Sequence, residues 1–334
     1  MRNVSKRFLL FFFLLIFYTF NTVVSNASNP DFETWVLSYK EKALQKGISK
    51  KTINLVFKNV RFLPNVIKYD RKQPEFFEDT ITYVSKRAST KRASNAVKLF
   101  KKNKKLFTDV EKEFSVEKEI LLALWGIETN FGKHVGKMDI ISSLATLSFD
   151  KRRSDFFSKE LFTLLELVDK NLIDPSTLYG SWAGAYGNFQ FMPSTIKNYS
   201  IDYDNNKKIE LKTSLSDALA SAANYINSIG WKKDEPCFFR VKLNSKIESK
   251  YLNFDARTIK NRLKASDWKK KGITYLDKNI IKTKLKSALV IPDGKEDSPA
   301  FLVFSNYEKI LHWNRSLRFA ISVCTLSDMI NNDF

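Results

Sequence analysis

The sequence predicts a mainly α-helical protein with a small β-rich insertion, and three observations carry that prediction. Apolar residues recur at helical spacing from Phe32 to about Val110 and again from Ser115 to Ile229. The period fades between Trp231 and Phe304, where short aromatic and β-branched runs alternate with turn residues. It returns from Tyr307 to Ile330.

The N-terminus comes before any of this. Arg2, Lys6 and Arg7 precede an apolar run from Phe8 to Phe20, followed by the small and polar residues Thr22 to Ser28. This is the pattern of a signal peptide over residues 1–27, cleaved after Ser25 or Ala27, with an apolar run too short for an ordinary membrane span. No cysteine near the cleavage site offers a lipid attachment point; an uncleaved anchor is the alternative reading. Removing the segment leaves 307 residues, more than one ordinary domain, with 53 basic against 36 acidic side chains and a net charge of +17. A basic exported chain favours anionic partners such as cell wall or anionic lipid, although abundant Lys, Asn, Ile and Phe also fit the plain composition of an AT-rich genome. No recognition helix or base-stacking sheet is legible, which argues against nucleic acid.

Cys237 and Cys324 are the only cysteines, and in an exported chain they form either one disulfide or two buried thiols. His134 and His312 are the only histidines. No zinc-type cluster exists, and the usual Ser-His or Cys-His nucleophile arrangements are poorly supported. Carboxylates are therefore the natural catalytic candidates.

In chain order, Trp35, Val36, Tyr39, Ala43 and Leu44 mark a first helix that stops at Gly47. A short helix follows from Lys50, interrupted by Pro64, and Asp70 to Phe76 reads as an extended connector before and around Pro74. Lys86 to Lys105 is basic but holds no aromatic residue between Ser85 and Leu99, so it reads as a solvated helix face. Ser115 is the expected N-cap of the next helix, with Glu117 and Glu119 in its first turn.

That helix runs Leu121-Leu122-Ala123-Leu124-Trp125-Gly126-Ile127-Glu128, and Glu128 shares a face with Leu124 and Leu121. A carboxyl held against apolar surface is suited to donate a proton near neutral pH. Position alone is a weak argument, because a glutamate near a helix end is more often simply solvated.

Ile140 to Phe149 follows a loop, and Arg152-Arg153 precede an amphipathic helix through Phe157, Leu161, Leu164 and Val168. Gly180 to Thr195 interleaves glycines with aromatics and ends in Gln190-Phe191-Met192-Pro193, a composition that lets backbone approach a ligand. The plainer reading is a turn feeding a helix with Pro193 in its first position.

Asp202, Asp204 and Asn206 resemble half of a calcium loop, but Lys207 and Thr213 stand where glycine and a bidentate glutamate belong, so a polar turn is preferred. Ser214 to Ile229 is a helix stopped by Gly230. Phe238–Leu243, Ala288–Pro292 and Ala300–Phe304 read as strands, with a turn at Pro292-Asp293-Gly294 and a short helix near Arg257 to Leu263.

Together these stretches resemble the lytic murein transglycosylases of the B type, across nearly the whole mature chain. The landmarks are Asp70 to Phe76; Gly126 to Gly132 with Glu-Thr-x-x-Gly; and Ala145 to Phe149 followed by Arg152-Arg153. Further along come Gly180 to Ser194, Asp217 to Trp231 with Ala-Asn-Tyr, and Asn306-Tyr307 with Trp313-Asn314-Arg315-Ser316. The resemblance implies a mainly α fold divided into a signal peptide (1–27), an N-terminal helical domain (28–110) joined by 305–334, a lysozyme-like catalytic core (111–231) and the β-rich insertion (232–304).

It further implies that Glu128 is the single catalytic acid and base. Arg152, Arg153, Ser181, Gln190, Phe191 and Asn314 match positions lining a groove for peptidoglycan glycan strands. The chemistry implied uses no metal and no cofactor, in the periplasm of a Gram-negative bacterium, with peripheral membrane or wall association open. Phe319 stands where some relatives place a groove tyrosine. Two rivals remain: a hydrolytic muramidase, which needs a second carboxylate such as Asp150 or Asp155, and a non-catalytic wall-binding protein.

Overall fold

The computed structural model describes residues 29–72, 77–276, 284–295 and 297–334. The signal-peptide segment 1–27 and most of the connector, Gln73 to Phe76, lie outside the described residues. Among the described residues no helix is long and apolar enough to cross a membrane.

The fold is mainly α. Helices α1 (Pro30–Gln45), α2 (Lys50–Val56), α3 (Pro64–Arg71), α4 (Thr80–Arg87), α5 (Thr90–Lys102) and α6 (Lys104–Phe114) lead to the central α7 (Lys118–Thr129). A two-residue strand β1 (Met138–Asp139) then enters α8 (Ile140–Phe149) and α9 (Ser154–Asp169). β2 (Tyr179–Gly180) pairs back antiparallel with β1, and α10 (Pro193–Tyr199) and α11 (Leu215–Ser228) follow. The insertion contributes β3 (Phe238–Leu243), β4 (Leu252–Asn253), β5 (Leu263–Lys264), β6 (Ile273–Tyr275), β7 (Lys286–Val290) and β8 (Ala300–Val303). The chain closes with α12 (Ser305–Trp313) and α13 (Leu317–Asn332), and α13 lies back across α7, α4 and α5.

Helix ends follow local rules, and the expected stop at Gly230 holds. Asn29, Ser49, Asp79, Ser89, Asp139, Ser214 and Ser316 each cap a helix by accepting a backbone N–H. α11 ends where Gly230 takes φ +89°, its N–H bonding Asn227 while Trp231 bonds Ile226, the paired closure that spares the last carbonyls.

Other expectations are corrected. Pro64 opens α3 at its first turn rather than interrupting α2, because a missing N–H costs nothing there. Asp70 and Arg71 belong to that helix, not to an extended connector. Ser115 is not the N-cap of α7; it terminates α6 at φ 52°, and Glu117 takes the cap position with its carboxylate accepting instead from Trp231 Nε1 and the Asp234 N–H. The helix expected near Arg257 to Leu263 does not form. That segment wraps around the buried Asn253, whose amide bonds both the N–H and the carbonyl of Lys260; a 3-10 turn over Ala265–Lys271 comes later.

The main sheet runs β4-β7-β8-β3-β6, antiparallel except for β4 beside β7, with β5 on the edge of β7. Its two faces serve different cores. Ala288, Val290, Phe301 and Val303 join the apolar body that extends from Phe32 to Ile330, whereas Leu289, Ala300, Leu302 and Phe304 pack around Trp268. Cys237, just before β3, is bonded to Cys324 on α13, which settles the cysteine question as one disulfide closing a loop of sequence separation 87. Asp293, in the expected turn, accepts from the N–H and hydroxyl of Thr80 and from Arg318, tying insertion, α4 and α13 together.

Candidate active site

Glu128 is the last residue but one of α7, where the helix turns out through Asn130 (φ 49°) and Phe131 (φ 61°). It is half-buried, and Trp313 Nε1 donates to its Oε1 at 2.9 Å. The contact joins positions 185 apart in sequence. Trp313 in turn sits in an aromatic cluster, with Phe191 and Tyr225 at 5.2 Å between ring centroids and Phe189 at 6.2 Å. Tyr225 stacks on Tyr199 at 4.5 Å and donates its hydroxyl to the His312 carbonyl. Burial first, then the neighbouring Tyr199, pushes the Tyr225 hydroxyl up to about 12, so it stays protonated as a donor.

The glycine-aromatic stretch is fastened to α7 by one buried side chain. Asn188 Oδ1 accepts from Trp125 Nε1 at 2.9 Å, while its Nδ2 donates to the carbonyls of Leu211 and Lys212. Its backbone carbonyl accepts from Thr129 Oγ1, which itself accepts the Gly132 N–H. Tyr186 and Phe191 exchange backbone hydrogen bonds across a tight turn. Gly187 at φ +78° makes that turn possible, since a Cβ there would stand 2.6 Å from the Leu211 carbonyl oxygen.

Within this frame, Gln190 Nε2 is spent on the carbonyls of Val135 and Gly187, which leaves its amide oxygen to offer a ligand. Ser181 Oγ accepts from the N–H groups of Ala183 and Ala185, which leaves its hydroxyl proton to donate. Asn314, half-buried, ends α12 directly after Trp313.

Arg152 and Arg153 gather on Asp70. Arg152 Nε and Nη2 reach Asp70 Oδ2 and its carbonyl at 2.6 and 2.8 Å, Arg153 reaches Oδ1 at 3.5 Å, and the Asp70 side chain is 1% exposed. Arg153 also lies over the rings of Phe156 and Phe157. Asp150 is held by Arg71 at 2.9 Å, and Asp155 is exposed in the first turn of α9.

Thus Glu128, Phe191 and the Asn314 segment meet through Trp313, while the two arginines share a buried carboxylate. Phe319 is buried in the main core. Sequence reasoning missed Trp313, Asn188 and Tyr225 as parts of the site. Their signal was present in Trp313-Asn314-Arg315-Ser316 and in Ala223-Asn224-Tyr225, but nothing local says what they touch.

Away from this, the calcium-like loop gathers a different set than its spacing predicted. Carboxylates of Asp202, Asp204 and Asp217 converge within 4.8 Å, and Asn206 turns to Glu210 instead. Hard oxygen donors of this kind are the type a divalent cation takes. All three carboxylates also accept hydrogen bonds within the loop, and none is part of the Glu128 cluster.

The family model described as "Transglycosylase SLT domain" matches residues 31–328. The chain belongs to this family. Membrane-bound lytic murein transglycosylase B of Escherichia coli (strain K12) is 42% identical over 123 residues, covering 36% of this chain and 34% of its own. The chain thus aligns with about a third of the length of that curated relative. Similar solved structures include SltB3 from Pseudomonas aeruginosa in complex with NAG-NAM-pentapeptide. It is 31% identical with a TM-score of 0.78, over 90% of this chain and 79% of that one. The same protein in complex with NAG-anhNAM-pentapeptide is 30% identical with a TM-score of 0.79, over the same 90% and 79%.

Proposed function

We propose that the protein is an exported lytic transglycosylase that cleaves the β-1,4 bond between N-acetylmuramic acid and N-acetylglucosamine in peptidoglycan. The observation that carries this reading is Glu128, held by Trp313 within an aromatic cluster in a chain of this family. Glu128 protonates the glycosidic oxygen as it leaves, and the acetamido oxygen of the muramic residue stabilises the developing positive charge at its C1. The carboxylate so formed then takes the proton of the 6-hydroxyl, whose oxygen bonds to C1 and closes a 1,6-anhydro ring. Proton and bonds balance without water, and Glu128 ends as it began.

The substrate's own acetamido group replaces the second carboxylate that most glycosidases need. The engagement of Asp150 by Arg71 and the exposure of Asp155 favour this over the hydrolytic rival. Gln190 and Ser181 supply an acceptor and a donor, and Asn314 an amide, for orienting the sugars. Digestion of purified peptidoglycan followed by mass spectrometry tests the reading: the anhydro product is one water lighter than a hydrolytic one. A hydrated product would assign a muramidase, and binding without any product would assign a wall-binding protein.

A further inference from the structure

We propose that a small cationic pocket beside α12 binds carboxylates of the peptide stems carried by the glycan strand, an inference that rests on the peptidoglycan reading above. Ala256, Arg257 and Ile259, from the loop between β4 and β5, face Glu308, His312 and Arg315 across a cavity of about 80 Å³. The carboxylate of Glu308 is taken by Arg262. Among the described residues no carboxylate pairs with Arg257 or Arg315. The pocket therefore keeps two uncompensated guanidinium groups, and guanidinium recognises carboxylate by paired hydrogen bonds. Partial burial, with Arg315 and Lys309 nearby, lowers the pKa of His312, which leaves a neutral imidazole as a further donor.

Position and size point to the ligand. Arg315 is two residues beyond Trp313, and Tyr225, stacked on Trp313, bonds the His312 carbonyl, so the pocket adjoins the wall that holds Glu128. Its volume is far below that of a site for a whole small molecule and suits a single carboxylate group. The N-acetylated sugars of the strand are neutral. Acid groups on this substrate belong to its peptide stems, which project sideways from the muramic residues, so one stem beside the cleaved bond would place a carboxylate here.

The test compares three substrates: strands with intact stems, the same strands stripped of stems by an amidase and then amidated at the lactyl carboxyl this exposes, and strands whose stem carboxylates are amidated. For wild type, KM on intact strands is expected to be about fivefold lower than on the other two, the size typical of partly exposed charge pairs. In Arg257→Gln that advantage disappears, with an unchanged melting temperature as the folding control. Equal KM values for wild type on all three strands, or an advantage that survives in the Arg257→Gln/Arg315→Gln double variant, overturns the subsite.

A second measurement decides the matter even if no strand is cleaved, an outcome that would count against the parent reading instead. A free stem tripeptide titrated into wild type should shift the ring resonances of His312, one of only two histidines, and its amidated form should not. Absence of that shift overturns the proposal.

Discussion

Two regions of this molecule carry the candidate groove residues, and they are built on opposite principles. Near Glu128, indole and amide hydrogen bonds, backbone carbonyls and stacked rings fix Trp313, Gln190 and Asn188. Around Asp70 the structure relies on charge, with a buried carboxylate drawing in Arg152 and Arg153, each still 40% exposed or more. The Trp125–Asn188 bond is neutral and buried, and such a bond is little affected by salt. Half-exposed ion pairs hold charge in place but yield to salt. The frame beside Glu128 is thus the less salt-sensitive of the two regions, and the Asp70 cluster the more salt-sensitive.

Substitutions can separate the two. Replacing the acid, Glu128→Gln, should lower turnover of peptidoglycan by about a thousandfold, within the usual range for losing a general acid and base, while sacculus binding persists. Unchanged turnover in that variant would remove Glu128 from its role. Removing the disulfide with Cys237→Ser/Cys324→Ser should cost about 2 to 4 kcal/mol of stability, read by chemical denaturation.

Trp313→Phe keeps the aromatic packing and deletes only the N–H, so turnover should fall about tenfold with little change in melting temperature. A matching loss in stability would mean that the indole is only structural. Asp70→Ala should cost about 1 kcal/mol of stability, because two half-exposed arginines lose their shared partner but remain solvated, and chemical denaturation reads that loss directly. Smallest of all, raising salt from 0.1 to about 0.5 M should raise KM roughly twofold in wild type. That increment should shrink in Arg153→Gln but persist in Trp313→Phe.

Much of the fold was legible because it follows local rules. The helical period, the glycine stops at Gly47 and Gly230, and strand β3 all depend on residues within a few positions of one another. Where sequence reasoning failed, a distant side chain decided the outcome. Ser115 resembles a cap, yet Glu117 takes the N-terminal position of α7 and accepts from Trp231 and Asp234 across more than a hundred residues. The segment after Arg257 resembles a helix, yet Asn253 supplies it with hydrogen bonds that a helix would have to break.

The candidate site divides along the same line. Glu128 stood out by its place on a leucine face and by the family motif. Asn188 and Trp313 are ordinary residues until folding puts them against α7. Asp217 likewise joins Asp202 and Asp204 from beyond the Asp202–Asn206 loop.

The two-faced sheet works as a gauge. Residues of β8 point alternately into two separate cores, and α12 begins immediately after it at Ser305. Sliding β8 by one residue would move the chain by about 3.3 Å and turn Phe301 and Val303 toward the wrong core. The same slip would carry the start of α12 with it, and a hydrogen bond tolerates only a few tenths of an ångström. The strand's alternation thus measures out where the indole of Trp313 arrives. A single-residue deletion in β8 should be as damaging to the Glu128–Trp313 contact as a substitution of either residue.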